Sequence, residues 1–186
     1  MKIIATALLI LSLASRLGAT TVLRMDLDDL TAESHAIAHG RIVAARAEWD
    51  AARTLIYTVY TVEVLEYLKG GPGPLLEVRE PGGELDGLNM TAAGVPVFAI
   101  GEEAVLFLWT DPRGRQQVTG FEQGAVRVQT DSQTGAKTAR RALRLGSARG
   151  PSSPAAPSPL TNPSLSLLFN QIRSSVAKTV RPALAR

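Results

Sequence analysis

The chain contains no cysteine and only two histidines in 186 residues. That excludes disulfides, thiolate-held metal ions, a cysteine nucleophile and a cysteine-linked lipid anchor, so the fold must rest on apolar burial alone. Long apolar runs are scarce too. Ile3 to Ala14 is the one run of note, and no second segment approaches the ~20 residues that span a bilayer. Acidic residues are missing from the whole C-terminal stretch, because all seventeen lie between Asp26 and Asp131. There is no G-x-S-x-G elbow, no H-E-x-x-H pair and no phosphate loop ending in Lys-Ser/Thr.

What is present begins with an address. Lys2 precedes the apolar run, and the small residues Gly18 and Ala19 stand before Thr20. This is the layout of a secretory signal peptide, residues 1–19, and it predicts a periplasmic or extracellular protein after cleavage near Ala19. The formal charge of +3 conceals an uneven distribution. From Thr20 to Asp131, nine Lys/Arg face seventeen acids, a net of −8; from Ser132 to Arg186 there are nine basic residues and no acid. Such asymmetry predicts an acidic folded unit with a basic tail. The expected divisions are a β-barrel domain over 20–131, a basic and Pro/Ser/Ala-rich linker over 132–163, and an amphipathic C-terminal helix and tail over 164–186.

Within the acidic unit, Asp26 is placed to cap a short helix carrying Asp28 and Asp29 in its first turn. Ala36 to Trp49 reads as a first strand, with Gly40 marking a bulge or sharp bend. Leu55 to Val64 alternates as a second strand, with Tyr60, Val62 and Val64 on one face and Tyr57 and Val59 on the other. The pattern then changes at Leu65, and Leu65 to Gly70 is expected to roll into a turn ended by "KGGPG". "PLLEVREP" supplies a third strand, and Pro81 to Pro96 a long Gly-rich loop. Val105 to Trp109 is apolar on both faces and must be covered on both. Two short runs, Gln117–Phe121 and Ala125–Gln129, complete a mainly β set of five or six strands, as in a barrel or sandwich. Near the end, Leu165, Leu168, Phe169, Ile172, Val176 and Val180 fall on one helical stripe behind Ser164.

The residue types that carry chemistry form no convincing constellation in the sequence. His35 and His39 share a metal only on a helix; on a strand, four residues span about 13 Å. The adjacent acids Glu102–Glu103 and Asp28–Asp29 point apart on a strand or serve a helix start. Lys69 in "KGGPG" reads as part of a tight turn. Asn89-Met90-Thr91 is a solitary match to the glycosylation acceptor. The sequence therefore assigns no catalytic residue, no metal ligand and no cofactor, and favours a protein that is not an enzyme. A net of −8 over the barrel repels phosphate, so nucleic acid is not an expected partner. A protein or an envelope polymer is, and the basic tail has its own acidic domain as a third docking site.

The order "SHAIAHGRIVAARAEWD", "IYTVYTVEVLEYLKG", "LLEVREPGG" and "GEEAVLFLW" resembles exported bacterial proteins with a netrin-like barrel, the OB-type fold of the tissue inhibitors of metalloproteases. The resemblance spans roughly Glu33 to Val128 and implies a small five- to six-stranded OB-like barrel. Those inhibitors chelate zinc through an amino-terminal cysteine, which this chain lacks, so no functional residue carries over. The leading expectation is an exported binding or interaction module. The alternatives are a secreted hydrolase or metal-dependent enzyme using the 81–96 loop, and an accessory or inhibitor partner of a secreted protease.

Overall fold

A computed structural model describes residues 24–71, 73–141 and 162–180. The expected signal peptide and most of the basic, Pro/Ser/Ala-rich stretch lie outside the described residues. The chain opens with α1 (Leu27–Glu33), then β1 (Ala36–Trp49), β2 (Ile56–Lys69) and β3 (Leu75–Pro81). A small hairpin follows, β4 (Gly83–Leu85) and β5 (Leu88–Met90), then β6 (Glu103–Thr110) and β7 (Gln116–Val118). A 3₁₀ turn over Phe121–Gly124 leads to β8 (Ala125–Thr130), β9 (Lys137–Arg141) and finally α2 (Leu165–Val180).

β1 pairs antiparallel with β2 along its whole length, and its first half pairs with β6 as well. β2 pairs with β3, β3 meets β7 in parallel, and β7 pairs with β6. The circuit β1-β2-β3-β7-β6-β1 is a closed, mixed, five-stranded barrel. Its fourth and fifth strands exchange order in the ring, as in an OB-like fold. Closure on five strands demands strong coiling, and β1 supplies it through register shifts at Ile37/Ala38, His39/Gly40 and Ile42/Ala44. Gly40 is needed there: a Cβ would stand 2.6 Å from Glu63 O and 2.7 Å from Val62.

Period-two alternation sorts the side chains into two apolar layers. Ile42, Tyr60, Val62, Leu76, Val78, Leu106, Leu108 and Val118 fill the barrel. On the outer face of β1, β6 and β8, a second layer joins Ile37, Val105, Phe107 and Val126 to Leu30 of α1 and to Leu165, Leu168 and Ile172 of α2. β6 is thus covered on both sides, as its unbroken apolar run requires. α1 starts in a capping box between Asp26 and Asp29. It ends against the ammonium of Lys69, which donates to Thr31 O at 2.7 Å and Ser34 O at 2.6 Å. A cation on the last carbonyls of a helix is favourable.

Three sequence expectations change. β2 does not turn at Leu65 but runs on to Lys69, with Leu68 buried in the outer layer and Leu65 left exposed. Val59, on the face of β2 opposite Tyr60, is nearly fully buried as Tyr60 is, so both faces of this strand are covered there. Lys137–Arg141, inside the stretch expected as linker, forms β9 against β8. The tail helix docks: beyond its buried stripe, Arg173 pairs with Glu66, and Lys178 with Asp28 at 3.3 Å. Ser164 Oγ accepts the Leu167 N–H at 3.3 Å as its cap. Among the described residues no helix is long and apolar enough to cross a membrane.

Candidate functional site

The fold parts the two histidines and the two neighbouring glutamates singled out in the sequence, and brings His39 to Glu103 instead. His39 points into the outer layer, where Nε2 lies 2.6 Å from Glu103 Oε1 and its ring meets Phe169 edge-on at 5.2 Å. Lys137 Nζ completes this buried cluster, 2.7 and 2.9 Å from the two Glu103 oxygens. Burial would raise the Glu103 carboxyl, but hydrogen bonds from Lys137 and His39 outweigh it and hold it below the usual range. His35 is elsewhere, its Nδ1 accepting the Thr110 N–H at 2.9 Å. The two imidazoles share nothing, and among the described residues no three His, Asp or Glu side chains are grouped to hold a metal ion. Glu102 points the other way from Glu103, to Arg127 at 2.7 Å and the Ala99 N–H at 2.9 Å. Asp28 pairs with α2, Asp29 accepts the Asp26 N–H to close the α1 capping box, and Lys69 serves the α1 carbonyls.

Two concavities stand out among the described residues. The first, of about 310 Å³, lies over the seam where β3 and β7 close the barrel. The backbone ladder across that seam is a single pair, Val78 with Gln116. Its walls alternate in charge. Arg79 stacks on Tyr57 at 4.2 Å and pairs with Glu48 at 2.6 Å, while Arg115 pairs with Asp111 at 2.6 Å. Glu77 pairs with Arg46 at 2.7 Å, and Leu75 stands exposed at one end. Arg79 Nε and Gln116 Oε1 are buried here without a hydrogen-bond partner, which is costly unless a ligand or water rearranges the wall. The groove runs along β2 and β3 and is bounded by Gly114 and Arg115 of the β6–β7 connection.

The second concavity, about 220 Å³, is formed by the Gly-rich segment folding over the barrel mouth. The fold-over needs Gly82 and Gly83, at φ 112° and 133°; a Cβ on Gly83 would sit 2.6 Å from Thr58 Oγ1. The loop holds a hairpin rather than a plain coil. Asp86 and Gly87 both take positive φ, at 54° and 76°, in the two-residue turn that an Asp-Gly pair favours. Trp49 Nε1 donates to Asp86 Oδ2 at 2.9 Å, tying the hairpin tip to the end of β1. Phe98 plugs the barrel beneath the descending limb, edge-on to Tyr60 at 5.1 Å. Arg127 fastens that limb by donating to Val97 O at 3.0 Å.

Inside this second pocket stands Glu80, 4% exposed. It follows Leu76 and Val78 in the inward series of β3. One carboxyl oxygen accepts the Val118 N–H at 2.6 Å, making a side chain stand in for the ladder where the β3–β7 pairing has ended. Burial drives this carboxyl from an ordinary 4.5 up to about 7, the Val118 hydrogen bond opposing. Tyr60, on the same wall, is likewise raised by burial. The sequence reading missed Glu80. The signal was the two-residue spacing from Val78, which put an acid on the inward face.

No family model, no curated protein and no solved structure matches the chain.

Proposed function

We propose that the protein is an exported, non-catalytic binding module that takes an extended segment of a partner protein in the groove over the β3–β7 seam. The groove itself carries the reading: a concave strip along β2 and β3 of the barrel, with charges of both signs and one edge of β3 nearly free of ladder pairing. An extended chain satisfies such an edge with backbone hydrogen bonds and reads the Arg/Glu alternation with its side chains. The acids Glu48 and Glu77 in the wall disfavour a phosphate backbone. Export rests on the leader pattern of residues 1–19, and the netrin-like resemblance supports a binding class without carrying over zinc chelation.

A photo-crosslinking residue at position 75 tests this, with position 88 as control, since Leu75 and Leu88 are matched at 59% and 57% exposure. In envelope extract of the source organism, position 75 should give a discrete protein adduct that Arg79→Ala removes. Equal labelling at both positions would sink the proposal. So would hydrolysis of a broad ester, peptide and glycoside panel that is lost when the acids of either concavity are replaced.

A further inference from the structure

The pocket at the barrel mouth shares no lining residue with the groove, and its chemistry is different. Its wall is largely apolar, from Pro81, Met90, Val95 and Val97. Into it faces one acid, Glu80, buried to 4% exposure, with a single hydrogen bond from the Val118 N–H. No Lys, Arg or His pairs with Glu80 among the described residues, whereas Glu103, the other buried carboxylate described, has His39 and Lys137 beside it. Among the described residues the second Glu80 oxygen has no protein donor, and Tyr60 Oη nearby is held by the Thr58 side chain and by a long 3.4 Å contact from the Phe98 N–H. Glu84 adds a further negative charge at the rim. A buried carboxylate without a counter-ion, in an apolar shell, is what a small ammonium ion with a hydrocarbon body requires.

We infer that the barrel mouth is a binding site for a short primary amine, its ammonium on the free Glu80 oxygen and its hydrocarbon chain under the β4–β5 hairpin. The volume, about 220 Å³, lies below that of drug-sized sites and limits the ligand to a short chain. Binding takes the place of protonation: the ammonium supplies the positive charge that a proton otherwise brings to Glu80. Affinity must therefore rise with pH until Glu80 is ionised, about tenfold per unit below its titration point. Of the other ionisable groups on the wall, Tyr60 is raised by burial and stays protonated throughout this range.

The experiment is a titration of the full chain with n-butylammonium, n-butanol and butyrate, followed by amide chemical shifts. The Val118 amide, hydrogen-bonded to Glu80, is the internal reporter. Saturable shifts at Val118 and Met90 are expected with butylammonium only, tighter at pH 8 than at pH 6. Glu80→Gln should weaken binding at least tenfold, and Met90→Trp, which fills the pocket from the hairpin side, should abolish it with Glu80 intact. Equal response to butanol would reduce the site to an apolar hole and overturn the inference. An unmoved Val118 amide with all three probes, or undiminished binding by Glu80→Gln, would overturn it as well. Loss of amine binding leaves the groove adduct at position 75 untouched, so the two proposals fail separately.

Discussion

Glu80 and Glu103 are two buried glutamates in one small barrel, and the fold treats them in opposite ways. Glu103 faces the layer under α2 and has Lys137 and His39 within hydrogen-bonding distance. Glu80 faces the barrel mouth with one backbone N–H and, among the described residues, no cation. Burial acts on both. Only where cations offset it does the carboxylate stay ionised, so the same residue type is a structural anion at one end and a proton store at the other. The first holds the tail to the barrel, and the second keeps a vacancy for positive charge.

Breaking the paired acid should have the largest effect. Glu103→Ala strands His39 and Lys137 beneath the helix and should cost about 3 kcal/mol, the lower end for a broken buried pair because Lys137 is partly exposed; urea unfolding at pH 7 measures it. Relieving the unpaired acid should do the reverse. With its folded pKa near 7 and an ordinary value of 4.5, Glu80 keeps its proton in the fold after the unfolded chain has lost it. Stability therefore falls as pH climbs from about 4.5 to about 7, by up to about 3 kcal/mol, and levels off above. Glu80→Gln should flatten this slope and be the more stable protein at pH 8. A slope left unchanged in the variant would show that it comes from another group.

Glu103, with its folded pKa depressed, contributes stability above its unfolded value that is lost as pH falls through the folded one. Removing one partner at a time sharpens the contrast. Lys137→Met should cost about 1 to 2 kcal/mol and move the acid limb of the pH–stability curve upward. Smallest is Arg173→Ala. It breaks an exposed pair with Glu66 and should change stability by about 0.5 kcal/mol or less, vanishing at high salt.

Much of the fold was legible because alternation and periodicity survive in single segments. β1 came out with its bounds, the two-faced run of β6 announced two covering layers, and Ser164 with its stripe announced α2. What escaped depends on partners distant in sequence. "KTARR" carries no alternating apolar signal, so β9 shows only when β8 lies beside it. The run through Leu65 to Lys69 looks like a turn because Leu68 changes sides to meet α1, a helix three dozen residues earlier. The hairpin had its local mark in Asp86-Gly87, overlooked within a Gly-rich loop. Of the site, the loop's position was legible and its acid was not. A glutamate at the end of a strand reads as solvated until the loop that excludes water is folded over it.

One bond described above has a practical use. Trp49 hangs on Asp86 at the tip of the β4–β5 hairpin, while Trp109 lies on β6, paired across to β7. The indole at the tip is therefore a built-in fluorophore for the hairpin. Any opening of the hairpin exchanges its hydrogen bond for water and shifts its emission, and replacing Trp109 by phenylalanine would leave that light as a single-colour record of the mouth.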